Sequence, residues 1–175
     1  MKTKKLTILA LFTALAFVIH YLESMLPTLI PIPGIKPGLA NIITLILLYY
    51  YGFKDSALVL ITRILLVSLL FGQFLSFSYS LAGGVLCLIA EWLLLKALNK
   101  RFIPIVSALG GLTHNMAQLA VAFALTKSKG VFSYLPYLAV SGIITGAVIG
   151  LIITFLAPHL TVLLTDGQTY PKQDE

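Results

Sequence analysis

Charge is the first thing this chain is short of. Only 10% of its 175 residues are charged, against 59% hydrophobic, and mean hydropathy is +1.00. A soluble domain of this size needs a charged shell, and too few charges are present to make one. The composition predicts an integral membrane protein. Cysteine is nearly missing as well. Cys87 stands alone, which excludes an intramolecular disulfide and any Cys-x-x-Cys redox, zinc or haem motif. The aspartates are Asp55, Asp166 and Asp174, at loops and tail, so no carboxylate cluster is expected to hold magnesium for diphosphate chemistry. A Gly-x-x-x-x-Gly-Lys-Ser/Thr phosphate loop is missing. His20, His114 and His159 are expected at different depths. These gaps predict no catalytic residue, no metal site, no intrinsic cofactor and no self-sufficient enzyme. The net charge of +6 does not suggest nucleic acid, because the basic residues sit at the ends of apolar segments and read as topology determinants.

What is there is a nearly continuous apolar chain with one long break, Pro27–Asn41. Its prolines and glycines oppose regular helix, yet Leu29, Ile30, Ile32, Ile35 and Leu39 want an apolar surface. Pro33, Gly34, Pro37 and Gly38 surround the single cation Lys36, a pattern that suits an ordered lid. Apolar length predicts an all-α bundle of six spans: Leu6–Leu22, Leu39–Tyr51, Ser56–Phe71, Tyr79–Leu98, Pro104–Thr126 and Tyr134–Leu156. The alternatives are five spans, with the second re-entrant, or seven, with Leu160–Leu164 in the interface. Lys2, Lys4 and Lys5 before Leu6 imitate a signal peptide, but no convincing cleavage site follows, and a retained first span is expected. With both termini inside, the cytoplasmic side carries Lys2, Lys4, Lys5, Lys54, Lys96, Lys100, Arg101 and Lys172, and the outer side only Lys36, Lys127 and Lys129. The chain thus reads as one transmembrane domain, residues 1–164, with a polar cytoplasmic tail, residues 165–175.

Small residues at four-residue spacing mark helix contacts in lipid. The last span carries Gly142, Gly146 and Gly150, expected to pack against neighbours, and the first carries Ala10 and Ala14, which face either the bundle or another subunit. Arg63 and Glu91 lie at equal expected depth, roughly 12 Å in, on consecutive antiparallel helices. An intramembrane ion pair is the expectation, as a structural clamp or a relay. On the fifth span Gly110, Gly111, His114, Asn115 and Gln118 fall at separations of three and four, one stripe that brings polar groups to mid-membrane. It reads either as hydrogen-bonded core or as the floor of a binding site beneath the loop and Asn41.

Two stretches carry resemblances. Leu9–Ala16, with Ala10 and Ala14, resembles the opening helix of the substrate-binding S components of energy-coupling-factor (ECF) transporters, six-helix proteins whose alanine face meets a transmembrane coupling subunit. Pro33–Asn41 together with Gly110–Gln118 resembles the bacterial membrane family labelled heptaprenyl diphosphate synthase component I, also called Gx transporter proteins. The resemblance spans roughly Leu6 to Leu156 and implies a multi-pass protein of the bacterial cell (cytoplasmic) membrane. It leads to a substrate-binding subunit that captures a small molecule from the outer side, contacted by Lys36 and Asn41 from above and by His114, Asn115 and Gln118 from below. Lys36 suggests an anionic or strongly polar group on the ligand and the apolar loop a lipophilic body, as in an isoprenoid, a quinone precursor or a flavin-like vitamin. Ala10 and Ala14 would dock a coupling subunit served by separate ATPases. Members also accompany flavin- and quinone-linked extracellular electron-transfer systems, which implies a second reading as an electron-transfer subunit with its own partner protein. A third is a membrane anchor for a soluble prenyl synthase.

Overall fold

The computed structural model describes residues 2–25, 38–71, 74–98 and 102–164. Long apolar runs close their own backbone hydrogen bonds as helix, and the described residues form six helices and no strand. They are α1 (Lys2–Met25), α2 (Asn41–Tyr50), α3 (Phe53–Phe71), α4 (Phe74–Ala97), α5 (Ile103–Thr126) and α6 (Leu135–Leu164), with a 3-10 helix, Lys129–Tyr134, before the last. Gly52, at φ +85°, makes the tight turn between α2 and α3. Pro104 opens α5, where a missing N–H costs nothing, and left-handed Lys127 closes it.

Among the described residues three segments are long and apolar enough to cross a membrane: Thr3–Glu23, Phe74–Ala97 and Lys129–Thr161. α2 is too short, its ten residues rising about 15 Å. Side-chain contacts fix which helix ends lie together. Lys5 pairs with Asp55 at 2.7 Å, which joins the starts of α1 and α3. Tyr50 donates to the Ala157 carbonyl at 2.8 Å and meets Thr161 Oγ1 at 3.0 Å, so the end of α2 joins the end of α6. Phe53 meets Trp92 near the end of α4. At the opposite end Phe17 and Tyr21 stack on Phe71, and Tyr79 clusters with Leu119, Ala122 and Leu138. Successive helices therefore run in alternating directions.

Where the apolar pattern stopped the last span at Leu156, α6 continues through Pro158 to Leu164. The stretch Leu160–Leu164 is its final turn and not a separate interfacial element. The Tyr50 bonds to Ala157 and Thr161 hold the helix on both sides of the proline. The proposed tail, residues 165–175, and residues 27–37 of the proline-rich break lie outside the described residues.

α5 packs most extensively on α6. A Cβ on Gly111 would strike the Gly142 carbonyl, and one on Gly146 would strike the Ser107 carbonyl. On Gly142 it would lie 2.6 Å from the Gly111 carbonyl, and on Gly150 it would lie 2.5 Å from Pro104 Cα. Backbone meets backbone along this whole seam.

Candidate functional site

On the other side of α5 the core turns polar. The buried stripe of α1 runs Leu9, Phe12, Ala16, His20 and Glu23, at separations of three and four, so its upper end delivers two polar side chains inward. Glu23 Oε1 accepts the backbone N–H groups of Gly38 and of Leu39, the latter at 3.0 Å, and so anchors the entry to α2. Gly38 holds φ +84°, and a Cβ there would lie 3.0 Å from both Asn41 Nδ2 and His114 Nε2. Glycine is required twice, for its backbone and for the space.

Asn41, the first residue of α2, is the hub. Its Oδ1 accepts from Arg63 Nη2 at 2.7 Å, while its Nδ2 faces His114 Nδ1 at 3.0 Å and Cys87 Sγ at 3.8 Å. Donor and acceptor roles follow. Guanidinium only donates, so the Asn41 oxygen must face Arg63 and its NH₂ must face the imidazole. His114 Nδ1 then accepts, and neutral imidazole carries its proton on Nε2. Gln118 sits 2.9 Å from that Nε2, and Gln118 Oε1 otherwise has no partner. With the amide oriented so that Oε1 accepts from Nε2–H, both atoms are satisfied. Cys87 lies one helical turn from Glu91 on α4, with its thiol beside that carboxyl. Two glycines make room for these side chains. A Cβ on Gly83 would lie 2.8 Å from the His114 ring, and one on Gly110 would lie 2.6 Å from Glu91 Cγ.

His20, Glu23, Gly38, Asn41, Arg63, Ser80, His114 and Gln118 line one small cavity. It has room for about one water molecule, so anything larger needs the surrounding elements to part. A second cavity of similar size shares Gly38 and Asn41 and reaches Cys87, Glu91 and Ser107.

Of the residues singled out from sequence, the structure brings together Gly38, Asn41, His114 and Gln118, with Arg63 added to them. Asn115 points elsewhere: its Nδ2 donates to the Leu138 carbonyl at 2.8 Å and to Ser141 Oγ at 3.1 Å, both on α6. One residue beyond His114, it is turned by about 100° onto the glycine seam. The expected Arg63–Glu91 ion pair does not form within 4 Å; Arg63 binds Asn41, and Glu91 meets Cys87 and the Gly110 backbone. Asn41 supplies an acceptor that intercepts the guanidinium. His20 and His114, expected at different depths, line the same cavity. Lys36, Pro33, Gly34 and Pro37 lie outside the described residues. Ala10 and Ala14 lie on the exposed side of α1. His20 and Glu23 were missed, although the three-four stripe ending in them was visible in the first span.

An all-helical bundle with three helices long and apolar enough to cross a membrane and a buried, hydrogen-bonded polar centre defines the class: a helical membrane-type protein. The chain belongs to the heptaprenyl diphosphate synthase component I family, whose model matches residues 12–156. No curated protein and no solved structure matches it.

Proposed function

We propose that this protein is a membrane-embedded, S-component-like binding subunit that captures a small, partly lipophilic ligand from the outer side of the bacterial cell membrane. In this reading the six helices alternate through the bilayer, the short α2 covering only part of its thickness, and both termini are cytoplasmic, which the alternating helix directions support. One observation carries it: five helices or their entries each bring a polar side chain or backbone group to a single buried cavity. Polar groups are expensive in lipid and are kept where they contact one another or a cargo. Arg63 and the Gln118 amide would hold the polar end of an isoprenoid, a quinone-related compound or a flavin-like vitamin. The apolar body would lie against the helices. Since Arg63, Asn41 and His114 hydrogen-bond into one network, the centre suits holding a ligand rather than transforming it. Transport would then draw on partner subunits docked at Ala10 and Ala14.

Mass spectrometry of small molecules retained by gently purified protein tests this. A compound held by wild type and lost from Asn41→Ala and His114→Ala is the expected result; identical retained compounds in all three remove the reading. The family description favours a second reading, a membrane component working with a separate prenyl synthase subunit. Co-purification of such a subunit distinguishes it.

A further inference from the structure

Glu91 is the buried group that the ligand cavity does not use. It is 2% exposed, and its Oε2 has no hydrogen-bond partner. Packing holds it in place, with Cγ and Oε1 pressed against Gly110, where a Cβ would come within 2.6 Å of either atom. It lines the second cavity, which has room for about one water molecule.

Among the described residues no cation faces this carboxyl. On its own helix the neighbour is the Cys87 thiol, one turn away. From α5 the neighbours are Ser107, Gly110 and Gly111, from α2 Asn41, and from α6 Gly146 and Ile149, none of them charged. Arg63 of α3 is bonded to Asn41 and lies outside ion-pair distance. His114, the remaining titratable group on α5, is neutral by its bonds to Asn41 and Gln118. An ionised carboxylate buried without a counter-charge takes up a proton instead.

We infer that Glu91 is a proton-binding site in the centre of the bundle, carrying its proton in the closed structure and exchanging it through the cavity it lines. The acid form fits these surroundings: it brings no charge into a site where no described residue supplies a counter-charge, and the cavity it lines has room for one water to meet the O–H. When water enters, the O–H bond breaks heterolytically, its electron pair stays on the carboxylate and the proton passes to water; closure reverses the step. Asn41, which borders both cavities and contacts Cys87, links this proton to whatever occupies the first. The assignment stands whether or not the first cavity binds a ligand.

The test uses the full chain in lipid nanodiscs with the glutamate side-chain carboxyls enriched in carbon-13. The sequence has three glutamates, Glu23, Glu91 and Glu175. At neutral pH one resonance is expected at the position of a protonated acid, and Glu91→Gln is expected to remove it. Should that variant fail to fold, Glu23→Gln and Glu175→Gln assign the signal by subtraction, since each must leave it in place. Ionisation of all three at neutral pH in wild type overturns the inference, as does loss of the persistent signal in Glu23→Gln.

Discussion

Gly110 and Gly111 are neighbours in sequence, and they serve opposite faces of α5. Gly111 meets the backbone of α6, where even a methyl group would strike a carbonyl. Gly110 meets a side chain, Glu91, and makes room for a polar group rather than for a helix. The same division separates Asn115 from His114, one bonded to α6 and the other to the polar centre. A helix advances about 100° per residue, so a stripe read at separations of three and four includes residues from both edges. The two faces teach that small residues in a membrane bundle have two uses, close backbone contact and space for a buried polar side chain. Substitution separates them.

The largest effect is expected on the seam. Gly111→Ala forces backbone from backbone and should lower stability by about 3 kcal/mol, the upper end of ordinary overpacking. Gly110→Ala meets the movable Glu91 side chain and should cost about 1 kcal/mol. Denaturation of both proteins in the same detergent checks the order; a reversed order means the faces have been exchanged.

Next comes the hub. Asn41→Ala removes the acceptor of Arg63 and the donor to His114 together, and hydrogen bonds to charged groups run about 1.5–3 kcal/mol. A loss of about 2–3 kcal/mol, with loss of any retained ligand, is expected from thermal melts and extraction. Unchanged stability would show that the Arg63–Asn41 bond is not formed in the membrane.

A smaller pair sharpens the boundary. Asn115→Ala gives up bonds to Leu138 and Ser141 and should cost about 1 kcal/mol without altering ligand retention. Gln118→Ala should cost about as much and abolish retention, because Gln118 lines the cavity. Loss of ligand in the Asn115 variant alone would return that residue to the site.

Most of the fold was legible because lipid permits so few backbone solutions: an apolar run must be helix, and Gly52, Pro104 and the break before Asn41 mark where helices turn. The extension of α6 past Pro158 was not, since it rests on Tyr50, which is 107 positions from its acceptor at Ala157. In the site, Asn41, His114 and Gln118 were legible as polar residues out of place in lipid. The same rule applied to His20 and Glu23, but they lie beside the break, where polar residues look like a helix end. The partner of Arg63 was not legible at all. Depth placed it level with Glu91, whereas azimuth and the interposed Asn41 and Cys87 decided the contact, and azimuth depends on how helices are rotated against one another.

The smallest effect on stability is expected at Ala10 and Ala14, on the outside of the bundle. Their spacing matches that of Gly142 and Gly146, yet they are exposed, with Leu11, Leu15 and Val18 beside them, while the glycines are covered by α5. A small-residue stripe already filled by a helix cannot accept a larger side chain; an open one can. Ala10→Leu should therefore shift stability by no more than about 0.5 kcal/mol, the usual range for surface changes. If the open stripe receives a partner subunit, the same substitution should abolish co-purification of that partner, because the added side chain blocks close approach of a second helix. Stability and association would then move independently, as they cannot at Gly146. A clear drop in the stability of the isolated protein would instead place Ala10 against its own bundle.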